Sequence, residues 1–340
     1  MDQYARWLKD MNWTVSDLCL MLTDRFSTTL SPDIENLTAT LKNGLASQDL
    51  SGAGEAALIT AAAPFIAAAT QLCSAETAAA VLQWLNQLKP QSLTVSGLLT
   101  LVDKEPGTRT DDETAKMVSF CQVMGQLALI ARNASLSASE LSWVVAHPTV
   151  ITEKATALGH DITTLHDLTQ LHALLARCGT YASEILTSLS GKAGAEKNNL
   201  AVKTVATALT LDEQALTQAL AQTSAYAYFY SWIHLRNALQ WLNVAGTFGI
   251  TPANVAALVK LTYSSPYASW VAASHALQAG LNTQQTAQLQ AGLDEALSTA
   301  VSAYVIKNIA PSWVDSRDRL YSWLLIDNQV SAQVKTTRLR

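Results

Sequence analysis

Leucine, alanine, tryptophan and valine recur at three- and four-residue spacing along almost the whole chain, and no run alternates apolar and polar residues with the period of two that a half-buried strand needs. A chain patterned this way buries one stripe of each segment as a helix. The predicted fold class is therefore all-α, with no sheet. A local signature marks where helices begin: an apolar residue, then threonine or serine, then another apolar residue four positions after the hydroxyl. It occurs at Trp13-Thr14 with Leu18, Leu93-Thr94 with Leu98, Leu136-Ser137 with Leu141, and Ile250-Thr251 with Val255. The hydroxyl accepts from backbone N–H groups that the first turn leaves unpaired, and the flanking apolar pair sets the angle at which the chain enters the helix. Glu140 completes a capping box with Ser137, and Pro252 suits a first helical turn.

These starts belong to a recurring helix–loop–helix arrangement. Leu82-Gln-Trp-Leu-Asn86 returns as Leu239-Gln-Trp-Leu-Asn243, and the pair Leu93-Thr94 returns as Ile250-Thr251, both at an offset of 157 residues. Trp7-Leu8 ahead of Thr14 is a shortened version. Spacing between the copies is uneven, so the architecture expected is an irregular array of helical hairpins rather than a fixed-period solenoid. Stretches rich in turn formers and charge fall at 46–54, 103–112 and 190–199. The last is the strongest candidate boundary, dividing a first part of the array, 1–190, from a second, 200–340.

Only 14% of the 340 residues are charged, whereas 49% are hydrophobic. That balance supplies ample apolar surface for a core and leaves less charge than a typical globular surface carries, so part of the surface is expected to be covered by another body. A net charge of −5 without any Lys/Arg stripe offers no footprint for nucleic acid. Residues 56–75 and 214–235 lack formal charge for about the length of a membrane span, but glutamine, threonine and tyrosine interrupt both, which fits buried helices better than lipid. Met1 to Leu8 do not have the basic-then-apolar order of a signal peptide.

A search for chemistry returns little. Cys19, Cys73, Cys121 and Cys178 are widely spaced in apolar helical contexts and read as buried free thiols. His160, His166 and His172 are evenly spaced, but a six-residue step turns a helix by about 240°, so their rings do not share a face as zinc ligands would. The loop at Ser190-Gly-Lys lacks the spacing and preceding strand of a phosphate loop. Asp111-Asp112 and Asp212-Glu213 sit where carboxylates favour a helix N-terminus. The aromatic run from Tyr226 to Trp232 covers more than one side of a helix and reads as core. No cofactor, metal or catalytic centre is expected.

The C-terminal stretch is the most distinctive. Leu320, Trp323 and Leu324 form one apolar helical face, Asp327 is placed to cap a new helix, and Val330 and Val334 restart an amphipathic pattern for which a continuation is expected. The series Asp318, Leu320, Tyr321, Leu324, Leu325, Ile326, Asp327, Gln329, Val330, Ser331, Lys335, Thr336 and Arg338 resembles a segment of the A component of bacterial Tc toxin complexes. The resemblance implies a piece of the α-helical shell of a very large secreted, pore-forming translocation protein. It implies partners in the remainder of the A chain and in neighbouring A subunits of a pentamer, with the B and C components met indirectly. It implies no enzymatic activity and no direct membrane insertion by this segment, the channel lying elsewhere. Family members open their shell on a pH change, which makes His160, His166 and His172 candidate sensors. The competing expectation is a free-standing helical-repeat adaptor that binds a peptide or protein in a groove.

Overall fold

The computed structural model describes residues 2–23, 28–152, 155–189, 195–223, 227–279 and 281–324, and every regular element among them is a helix. The chain forms two compact units, Met1–Asn243 and Val244–Arg340. The first contains α1 (Asp2–Asp10), α2 (Val15–Leu22), α3 (Pro32–Leu45), α4 (Glu55–Thr70), α5 (Ala75–Leu88), α6 (Val95–Asp103), α7 (Asp111–Asn133) and α8 (Ala138–Ala146). It continues with α9 (Ile162–Cys178), α10 (Ala182–Ser188), α11 (Ala195–Leu209) and α12 (Glu213–Thr223). The boundary between units falls inside α13 (Trp232–Phe248), and the second unit adds α14 (Pro252–Val259), α15 (Tyr267–Gln278), α16 (Thr283–Asn308) and α17 (Arg317–Ser322). Within the 190–199 stretch, α11 begins at Ala195, and 190–194 lie outside the described residues.

The hydroxyl-led starts form as expected. Thr14, Thr94, Ser137 and Thr251 are the N-caps of α2, α6, α8 and α14, and each side chain accepts from the backbone N–H three residues on. Ser137 and Glu140 form the reciprocal box, with the Glu140 carboxylate 2.9 Å from the Ser137 N–H. At α6 the staple is visible in a glycine: a Cβ on Gly97 would lie 2.7 Å from Leu93 Cδ1, so the side chain before the cap occupies the space over the first turn.

α5 is the hub of the first unit. It packs against α4, α7 and α8, and Ala78, Val81, Leu82, Trp84 and Leu85 are all buried. Trp84 donates from Nε1 to the Leu158 carbonyl at 3.0 Å, and Gln87 bridges the Val145 carbonyl and the Leu158 N–H, so α5 also anchors the connection from α8 to α9. In the related segment, Asn86 Oδ1 accepts from the Val95 N–H at 2.8 Å. At the offset of 157 that donor becomes Pro252, which has none, so the two copies share a backbone plan without sharing this bond.

The uncharged stretch 56–75 does not form one rod. Gln71 takes a left-handed conformation (φ 55°), Ser74 caps α5, and α4 meets α5 at 104°. One helix among the described residues, α7, has the length and apolarity of a span, and 67% of that apolar window is buried within the protein, as in a core helix. The thiols correct an expectation. Cys121 and Cys178 are buried, burial pushing Cys121 up to about 12, but Cys19 and Cys73 are exposed. α2 buries only Met21, which turns Cys19 outward.

Candidate functional site

Three places gather polar or apolar groups that the fold alone does not require. The first is a buried polar node on α9. His166 is buried and lies edge-on to Tyr4 and Trp7 at centroid distances of 5.5 and 5.3 Å. Its neighbour Asp167, only 4% exposed at the side chain, pairs through Oδ1 with Arg236 of α13 and accepts from Trp232 Nε1 at 3.3 Å. The His166 ring is 3.6 Å from the same oxygen. Trp7 donates to Thr169 Oγ1 at 2.9 Å, and Thr169 donates to the His166 carbonyl, so α1, α9 and α13 meet here. Burial alone would raise the Asp167 carboxyl; His166, the Arg236 charge and the bonds from Arg236 and Trp232 outweigh it and hold it below its ordinary value of 3.8. Arg236 Nε is buried and has no partner among the described residues.

The other two evenly spaced histidines sit elsewhere. His160 Nε2 lies 2.6 Å from the Met21 carbonyl, which only accepts, so this ring carries its proton on Nε2 and caps the end of α2. His172 Nδ1 lies 3.1 Å from Glu140 Oε2, the carboxylate that also closes the α8 capping box. The three rings thus face α2, α1 and α8. No group of His, Cys, Asp and Glu suited to a metal occurs among the described residues. The sequence points to neither Asp167 nor Arg236, and it marks Trp7 only as part of a shortened Trp-Leu hairpin. The usable signal was Asp167 itself, a lone acid in the middle of a helix otherwise patterned for burial.

The second place is the described part of the C-terminal series. Ser316 caps α17 and Leu320 is buried. Arg317 joins α17 to α16, donating to Glu295 Oε1 at 2.9 Å, Ser298 Oγ at 2.6 Å and Tyr321 Oη at 3.0 Å. The bonds to Glu295 and Tyr321 raise the Arg317 guanidinium, and the bond from Arg317 lowers the Tyr321 hydroxyl. Asp318 is exposed and Leu324 half-buried; Leu325, Ile326, Asp327, Gln329, Val330, Ser331, Lys335, Thr336 and Arg338 lie outside the described residues.

The third is α16 itself. Ser302 is its one buried residue, while Leu289, Leu293, Leu297, Val301 and Tyr304 are exposed at three- and four-residue spacing. Those positions span about 120° of the helix surface, an apolar stripe left exposed among the described residues.

Comparison with known proteins follows the same lines. The chain is similar over 98% of its length to TcdA4 of Morganella morganii, seen by cryo-electron microscopy, with 31% sequence identity and a TM-score of 0.67. The TcaA-TcaB structure of Yersinia pseudotuberculosis matches 94% of the chain at 17% identity with a TM-score of 0.48. The chain spans 14% of the Morganella chain and 16% of the Yersinia one. No protein-family model and no curated protein matches it.

Proposed function

Because the chain is Tc toxin A-subunit-like over nearly its whole length, we propose that it is a structural segment of the α-helical shell of such a subunit, with no catalytic role of its own. Its partners in this reading are the rest of an A chain and neighbouring A subunits in a pentamer that delivers a toxic cargo to host cells; the B and C components are reached only through that assembly. Its location is extracellular, as part of the whole toxin. The observation that carries the reading is the bare apolar stripe of α16. A helix of 26 residues with one buried position gains little from its own unit, and an exposed stripe of this kind marks a contact surface.

A chimera tests it. This chain replaces its counterpart in the Morganella protein, and particle size is measured by light scattering and electron microscopy. Assembly to the parent's size is expected, with loss of assembly when Leu293, Leu297 and Val301 are changed to Gln. A chimera that is soluble and folded but never assembles would refute the reading and favour the free-standing adaptor. In the same chimera His160, His166 and His172 are proposed to contribute to acid-triggered opening. An unchanged pH dependence after replacing all three with Gln removes that role.

A further inference from the structure

Four consecutive helices of the first unit have counterparts later in the chain. α4, α5, α6 and α7 begin at residues 55, 75, 95 and 111, and α12, α13, α14 and α15 begin at 213, 232, 252 and 267, an offset of 156–158 throughout. The likeness reaches individual residues: Glu55-x-Ala-Leu58 opens α4 and Glu213-x-Ala-Leu216 opens α12, with Leu58 and Leu216 both buried. α6 therefore shows how a helix in the place of α14 packs when its surroundings are complete. It lies against α3, α4 and α7, and Leu98, Leu101 and Val102 are 1%, 8% and 2% exposed. Glu55, the first residue of α4, accepts from the Ser96 N–H at 2.9 Å in the first turn of α6. At the other end Lys42 of α3 donates to the Asp103 carbonyl at 3.0 Å and pairs with Glu105 at 3.1 Å. α14 keeps the neighbour that α6 has in α7, since it packs on α15. Burial is not kept: Val259, the counterpart of Val102, is 69% exposed, and Leu258, that of Leu101, is half-buried. The side that α3 and α4 cover on α6 is the side left bare on α14.

We infer that α14 is the docking site for a helical hairpin of the α3–α4 kind, carried by a partner chain that has an acid where α3 has Lys42. The first copy supplies the mode of binding. An apolar face of the hairpin covers Leu258 and Val259, and a carboxylate in the place of Glu55 meets the Ala253 N–H, in a first turn whose N–H groups no intrahelical bond satisfies. Charge supplies the difference between the copies. Asp103, Lys104 and Glu105 at the end of α6 become Lys260, Leu261 and Thr262 at the end of α14, so the local charge turns from acidic to basic. A lysine held there by the partner would face Lys260, whereas a carboxylate would pair with it. The inference concerns a surface separate from the α16 stripe and does not rest on the scaffold reading.

The probe is a labelled peptide of residues 31–72, the α3–α4 hairpin itself, made with Lys42→Glu and titrated against the whole chain by fluorescence anisotropy. Saturable binding is expected. Val259→Asp in the chain should weaken it about ten-fold and leave thermal unfolding unchanged, because that side chain is already exposed. Glu55→Gln in the peptide should weaken binding roughly five-fold. The peptide that keeps Lys42 should bind roughly three-fold more weakly than the one with glutamate, and Lys260→Glu in the chain should reverse that order. No binding at the highest soluble peptide concentration overturns the proposal. So does binding indifferent to Val259→Asp, which would mean that the peptide exchanges with α3–α4 of the first unit, or a preference that Lys260→Glu leaves unreversed. Self-association of the chain that Val259→Asp abolishes would make a second copy the occupant and overturn it as well.

Discussion

Replacing Asp167 with Ala is the most informative test of the first unit. The carboxylate is 4% exposed, and its loss removes a charged hydrogen bond to Arg236 and takes from the Trp232 N–H the acceptor it has at this node. A charge-assisted bond contributes about 1.5–3 kcal/mol and an orphaned buried donor costs about 1–3 kcal/mol. Breaking a fully buried pair costs about 3–5 kcal/mol. The Arg236 side chain is 25% exposed, so water recovers part of that cost, and the expected destabilisation is about 3 kcal/mol. In urea, followed by tryptophan fluorescence, a slope of about 1–3 kcal/mol/M turns this into a midpoint shift of roughly 1–3 M. The double variant Asp167→Leu with Arg236→Met should return to within about 1 kcal/mol of the parent, because an apolar pair avoids the desolvation that the ion pair carries. A single variant costing less than about 1 kcal/mol, or a double variant as damaged as the single, would refute the reasoning. The pH dependence follows from the sign of the shift. The folded carboxyl lies below 3.8, so its stabilisation is complete above that pH and is lost as pH falls through the lowered value. Asp167 is therefore silent in mild acid and acts only in strong acid, which acid denaturation of the parent and of Asp167→Asn can separate.

Two glycines should respond to alanine with opposite signs in thermal unfolding. Gly44→Ala places a Cβ 2.2 Å from the Phe65 ring and should cost about 1–3 kcal/mol as the ring is displaced, whereas Gly125→Ala meets nothing and should stabilise α7 by about 0.5–1 kcal/mol. Ser137→Ala removes the α8 cap and should cost about 1 kcal/mol in chemical denaturation; a null effect would mean that Glu140 and His172 hold the turn without the hydroxyl. Leu293→Gln and Leu297→Gln should each change the stability of the isolated chain by less than about 0.5 kcal/mol while lowering its tendency to associate in light scattering. A large loss of stability there would show that the stripe is already covered.

How much of this was legible in the sequence depends on how local the cause is. An N-cap needs only a hydroxyl and its next few neighbours, so Thr14, Thr94, Ser137 and Thr251 could be placed without a fold. Thr110 and Asn282 also form capping boxes but were missed, because Arg109 and Leu281 precede them in settings that lack the apolar–hydroxyl–apolar order. The break within 56–75 was hidden for a different reason. It depends on Gln71 taking a left-handed conformation, a role that glycine or asparagine would have announced and glutamine does not. Exposure of Cys19 likewise follows from which side of α2 meets α7, a property of the pair rather than of either segment.

The polar node shows what periodicity cannot supply. A six-residue step separates the faces of His166 and His172, yet nothing in that step names Trp7 and Trp232 as neighbours of the first or Glu140 as the partner of the second. Those partners are set by packing across long sequence separations. In a chain with so little charge, a buried carboxylate linked to an arginine 69 positions away is expensive to desolvate and contributes little net stability over an apolar pair. Its use is then in registry: Asp167 offers one oxygen to Arg236 and Trp232 together, and a slide of α13 along α9 by one turn would strand all three groups at once.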